Sequence, residues 1–115
     1  MSANDLSTDA GCRAVIADAQ QHMGGIDVLV LNHIVGFWGY WGAVGDDTLA
    51  ALDWYTRINY YSYVLLATYG LDMLKASSGS IAIVSSLAGR MGLPRVAPYS
   101  ATKHALRRFI PPPWV

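Results

Sequence analysis

Two aliphatic runs, IDVLVL at 26–31 and SIAIVSS at 80–86, constrain this chain more than any other feature. Such nearly unbroken apolar stretches are expected where a strand is buried on both faces of a parallel sheet. Helical patterns lie before, between and after them. Residues 8–23 carry Ala10, Ala14, Ile16, Ala17 and Ala19 and end at Gly24-Gly25, which predicts a first helix. Positions 49, 52, 55, 58, 62, 65, 66, 69 and 73, apolar except for Ser62, step by threes and fours, with Asp46 or Asp47 as cap, and predict a helix to about Ala76 that stops at SSGS. Pro98 suits the first turn of a third helix, which Pro111-Pro112-Pro113 must end. Helix–strand–helix–strand–helix is the α/β pattern, with crossover helices joining parallel strands.

Composition narrows the function classes. Of the 115 residues, 53% are hydrophobic, enough for a core and too many for a disordered chain. Eight basic residues balance eight acidic ones without a block of either sign, which gives no footing for nucleic acid or an anionic membrane. Cys12 is the single cysteine, so there is neither a disulfide framework nor a thiolate cluster. His22, His33 and His104 have no partners at ligand spacing and are read as surface or half-buried imidazoles, with no metal site expected. MSANDLSTDA has no basic region or apolar core of a signal peptide. Asp27, Asn32, Arg57 and Asn59 interrupt the longest apolar stretches, against a membrane span. The reading is a soluble chain in or facing a reducing compartment.

The chemistry concentrates in SSLAGRMGLPRVAPYSATK, residues 85–103. Tyr99 and Lys103, four residues apart, share one face of a helix. A lysine ammonium there favours the phenolate and brings the tyrosine toward the working range of a general acid and base. Y-x-x-x-K alone arises by chance in many helices; its weight comes from Ser86, which ends the preceding strand. The carboxyl ends of parallel strands are where ligands sit, so the Ser86 hydroxyl is expected to face a crevice. Two hydroxyls converging on one carbonyl oxygen suit a reaction in which an alkoxide develops, that is, hydride chemistry at a ketone or alcohol. Asn59, in the apolar RINYYSYVLL, needs polar partners if buried, either for a structural hydrogen bond or as a bridge to the site. Asn32 and His33 fall at the end of the first strand, where a cofactor would approach.

DVLVLNHI, RINYYSYVLL, IAIVSSLAGR and YSATKHAL together, in that order and spacing, resemble the short-chain dehydrogenase/reductase family over roughly residues 5–109. LNHI, where most members have N-[NS]-A-G, is nearest to the family's hydroxysteroid dehydrogenases. The resemblance implies a catalytic Tyr99, and a Lys103 that lowers its pKa and binds the nicotinamide ribose. It further implies that Ser86 orients the substrate carbonyl and that Asn59 holds a water relay to the lysine. Asn32 would support the strand beside the cofactor, and Asp5-Leu6 would meet the adenine ring. NADP(H) is the cofactor the resemblance favours, with NAD(H) as the alternative; the implied substrate is a steroid or similar apolar alcohol or ketone. The nearest relatives reside at the endoplasmic reticulum membrane, while this sequence leaves its own location open.

The family's opening strand–T-G-x-x-x-G-x-G–helix has no counterpart here. GFWGYWG has the wrong spacing, and its aromatic side chains would block close approach of a pyrophosphate; it is read as a loop beside the substrate crevice. The expected fold is therefore α/β, a partial Rossmann domain (a doubly wound parallel sheet) over residues 1–115, lacking the N-terminal glycine-rich βαβ unit and the C-terminal strands. Two parallel strands with unpaired outer edges are marginal on their own. The chain alone is expected to be poorly folded, or to associate through those edges with itself or a full-length relative. An inactive truncated isoform unable to bind cofactor is thus the alternative to a working oxidoreductase.

Overall fold

The computed structural model describes residues 3–36, 46–93 and 96–109. The elements run α1 (Asp9–Met23), β1 (Val28–Leu31), α2 (Asp46–Thr56), a π-helical turn (Arg57–Tyr61), α3 (Ser62–Ser77), β2 (Ser80–Ile83), a 3-10 turn (Leu87–Gly89) and α4 (Ala97–Phe109). The expected order of helices and strands is present. All of GFWGYWG after Gly36, and Pro111–Pro113, lie outside the described residues, as do the side chains of the candidate caps Asp46 and Asp47.

Local signals set the boundaries. The Thr8 hydroxyl accepts from the Gly11 amide to start α1, and Gly24, at φ 78°, closes it in the left-handed conformation that glycine adopts without cost. The strands pair in parallel, with Val28 opposite Ser80 and Leu31 opposite Ile83. Bonds from Ser80 N to Asp27 O (2.9 Å) and from Val84 N to Leu31 O (3.0 Å) extend the ladder at both ends.

The strands are not buried on both faces. Leu31 is 1% exposed and Leu29, Ile81 and Ile83 pack on the core, whereas Val28 and Val30 stand 59% and 60% exposed. Side chains alternate across a strand, and among the described residues α1 and α3 cover only the face that carries Leu29 and Leu31. The core beneath it joins Cys12 and Ile16 of α1, Leu31, Tyr63, Leu66 and Leu74 of α3, and Leu106 of α4.

The long helix also departs from its expected period. α2 and α3 are joined by the π-helical turn, where the Ser62 amide reaches back five residues to Arg57 O. One extra residue per turn rotates everything after it. The buried stripe therefore follows Tyr55, Asn59, Tyr63, Leu66, Ala67, Gly70 and Leu74, while Leu49 is 58% exposed and Leu65, Tyr69 and Met73 sit at its margin.

Candidate active site

The π-helical turn places four side-chain contacts on the segment that follows β1. Asn59, fully buried, accepts from Val35 N at 2.8 Å and donates to Val35 O at 2.9 Å, bonding to this backbone as a neighbouring strand would. Ser62 Oγ lies 2.6 Å from His33 Nε2, and Tyr63 Oη donates to His33 O at 2.6 Å. The segment thus has a fixed shape as it leaves the sheet. The Asn59 amide clamps the strand end, which supplies the polar partners that a buried asparagine needs.

α4 is docked beside the end of β2 by polar bonds to the turn between them. Ser100 Oγ donates to Ala88 O at 2.6 Å, and Arg107 Nη1 to Gly89 O at 3.2 Å. Gly89 is required here for space. A Cβ on it would fall 2.8 Å from Lys103 O and 2.7 Å from Ser85 Oγ, closer than real Cβ contacts come. The turn itself begins at Ser86, whose half-buried hydroxyl accepts from Ala88 N at 3.2 Å and so caps it. Ser85 Oγ is buried with no hydrogen-bond partner among the described residues.

Lys103 is the dominant feature. Its side chain is buried, with 1% of the residue exposed, and Nζ donates to Val84 O at 3.1 Å, at the carboxyl end of β2. The ammonium lies 5.9 Å from the centre of the Tyr99 ring and 5.4 Å from that of Tyr63. Desolvation disfavours its charged form and holds its pKa below the usual lysine value. Burial, and Tyr99 nearby, push the Tyr63 phenol up to about 12, so Tyr63 stays neutral. Burial first and then Lys103 lower the His33 pKa, partly opposed by the Ile58 carbonyl.

The structure therefore brings Tyr99, Lys103 and the ends of both strands to one end of the sheet. Asn32 lies there too, exposed, one residue past Leu31. Asp5 engages its own turn: its carboxylate accepts from Ser7 N at 2.9 Å and from Ser7 Oγ at 2.7 Å, which lowers its pKa. Ser62 and Tyr63 escaped the sequence reading; their one signal is that they follow Asn59 by about a turn. Among the described residues no group of three or more His, Cys, Asp or Glu could hold a metal, and no helix is long and apolar enough to cross a membrane.

Residues 1–111 match the family model described as short chain dehydrogenase. The chain belongs to the short-chain dehydrogenase family. It is 42% identical over 106 residues to the hydroxysteroid 11-beta-dehydrogenase 1-like protein of Gallus gallus, covering 91% of this chain and 36% of that protein. With the hydroxysteroid 11-beta-dehydrogenase 1-like protein B of Xenopus laevis it shares 39% over 108 residues, covering 93% and 36%. A short chain dehydrogenase/reductase structure from Saccharomyces cerevisiae superposes with a TM-score of 0.83 at 28% identity, covering 94% of this chain and 42% of that one. This short-chain dehydrogenase chain thus spans about a third of the length of the curated relatives it matches, and its two-stranded parallel sheet with flanking helices is a partial Rossmann-like fold. The family works with NAD(P)(H).

The donor chemistry at the sheet end fits the nicotinamide-ribose half of such a cofactor. Val84 O takes one of three ammonium protons on Lys103, which leaves donor capacity for ribose hydroxyls, and Asn32 borders the same end. No glycine-rich cradle for the pyrophosphate occurs among the described residues.

Proposed function

We propose that this chain carries the acid–base half of an NADP(H)-linked oxidoreductase acting between a hydroxyl and a ketone on a steroid or similar apolar substrate. The observation that supports it best is the buried Lys103 ammonium at the strand ends, within 6 Å of the Tyr99 ring. A bound nicotinamide supplies or accepts the hydride. Tyr99 Oη gives its proton to the developing alkoxide, or takes one from the alcohol, and Lys103 stabilises the phenolate left behind. Lys103 also binds the ribose, beside Asn32. Ser86, at the mouth of the 3-10 turn, hydrogen-bonds the reacting oxygen. Asn59 keeps the strand end in shape and holds the water relay to the lysine; Asp5 meets the adenine. The hydroxysteroid dehydrogenase names of the relatives and the LNHI sequence support the steroid class, and the choice of NADP(H) over NAD(H) rests on the steroid-dehydrogenase resemblance alone.

A second reading keeps these residues without turnover: an inactive chain that associates with a full-length relative. The open sheet face, with Val28 and Val30 about 60% exposed, favours it. Calorimetric titration of the 115-residue chain with NADP+ separates the two. Binding, with turnover lost in Tyr99→Phe, supports the oxidoreductase; absence of binding and of turnover in the unmodified chain supports the second reading.

A further inference from the structure

His33, Ser62 and Tyr63 form a polar group beside the acid–base pair that the reading above leaves unused. Two contacts of 2.6 Å meet at Ser62 Oγ: its hydroxyl donates to Ile58 O, and His33 Nε2 lies on the other side. With the Ser62 hydroxyl donating to Ile58 O, the proton between serine and imidazole is the histidine's. That arrangement corresponds to the Nε2–H tautomer of His33. Its ring stacks on Tyr63 at 4.4 Å and 38°, while its backbone carbonyl accepts the Tyr63 hydroxyl. Tyr63 is gripped at its hydroxyl and on its ring, and that ring faces Lys103 Nζ at 5.4 Å.

We propose that His33 is a positioning residue for Lys103: fixed by Ser62 as the neutral Nε2–H tautomer, it sets the Tyr63 ring against which the lysine ammonium rests. This rests on the acid–base reading of Tyr99 and Lys103. A buried ammonium with one carbonyl partner among the described residues gains from an aromatic face in a desolvated site. The role demands an uncharged imidazole, because a second cation would repel the first. The groups facing His33 agree with that demand. Lys103 on α4 and burial both disfavour imidazolium, and Tyr63 on α3, with Tyr99 behind it, remains a neutral phenol. The tilt of the Tyr63 ring, and with it the placement of the ammonium, then depends on a residue that need not touch substrate.

The chain has three histidines and two lysines, Lys75 and Lys103, so nuclear magnetic resonance of the full 115-residue chain resolves each by single substitution. At about pH 7, His33 is expected as neutral Nε2–H. The Lys103 ε-methylene protons are expected to be displaced by the ring current of Tyr63. His33→Leu, which removes the donor, should return them toward the Lys75 position; His33→Gln, whose amide nitrogen replaces the donor, should leave them displaced. Should His33→Leu not fold, Ser62→Ala, which deletes only the hydroxyl, is expected to mobilise the tautomer and move the same signals. An Nδ1–H or cationic His33, or Lys103 signals indifferent to His33→Leu and Ser62→Ala, overturns the proposal. In turnover, His33→Leu should lower kcat by about ten- to a hundredfold at little-changed KM, with His33→Gln restoring it; equal loss in both variants also overturns it. No turnover in the unmodified chain would count against the oxidoreductase reading alone, and the resonance measurement still decides the role of His33.

Discussion

Asn59 in the π-helical turn and His33 in the segment after β1 both take part in tying that segment to the helices, and each makes a different prediction. Replacing Asn59 by leucine leaves Val35 N and Val35 O, both bonded to it, without their partners. A buried donor or acceptor left unsatisfied costs about 1–3 kcal/mol, so Asn59→Leu should lower the urea midpoint by a corresponding amount with an unchanged slope. His33 sets a pH dependence whose sign follows from the direction of its shift. Its folded pKa lies below the ordinary 6.5, so the unfolded chain takes up a proton first. The His33 contribution is present above that ordinary value and is lost as pH falls through the window down to the folded pKa. Denaturation midpoints between about pH 7 and 5 should therefore fall less steeply in His33→Gln than in the unmodified chain. Gly89 has no such subtlety. Gly89→Ala must push the Ser86 turn away from α4, because its methyl would meet Lys103 O at 2.8 Å. Thermal unfolding should register about 1–3 kcal/mol of lost stability, typical of overpacking.

At the scale of elements, strand β1 separates what the sequence makes legible from what it hides. IDVLVL identifies a strand because it is short, aliphatic and bounded by glycine, yet an unbroken apolar run carries no sign of which face is covered. Among the described residues, the structure places α1 and α3 on one side alone. Adjacent residues should consequently respond very differently. Leu31→Ala removes a fully buried side chain and should cost about 2–5 kcal/mol, whereas Val30→Thr, 60% exposed, should stay within roughly 0.5 kcal/mol. Chemical denaturation of the two variants side by side checks the assignment of faces. The helix after β1 gives the complementary lesson. Its existence and length were readable from spaced apolar residues, but its phase was not, because counting by threes and fours assumes an unbroken α-helix. The π-helical turn at Arg57–Tyr61 breaks that assumption and turns Asn59, Ser62 and Tyr63 together toward the end of β1. The placement of Ser86, Tyr99 and Lys103 beside the end of β2 was legible because the pattern is local, within one strand–turn–helix. The His33 contacts were not, since they join residues 29 and 30 positions apart in a chain that reveals no long-range pairing by itself.

For the molecule as a whole, the decisive quantity is the apolar surface that the described residues leave in water. Val28 and Val30 on β1 and Val84 beyond β2 stand 59%, 60% and 44% exposed, and each strand has one outer edge unpaired among the described residues. Full burial of such a side chain is worth about 1.5–3 kcal/mol, so covering half of each offers on the order of 1 kcal/mol apiece. Added to backbone pairing at an open edge, this favours association over isolation. Sedimentation velocity on the purified chain should therefore show a weight-average mass that rises with concentration, and its melting temperature should rise in step. Placing lysines at positions 28 and 30 tests whether the open face is responsible. Val28→Lys with Val30→Lys puts charge only where side chains already meet water, so the fold should survive while association is lost. A cooperative melt of the unmodified chain that is independent of concentration would instead mean that α1, α3 and the core they cover are sufficient, and that the open face is tolerated in water.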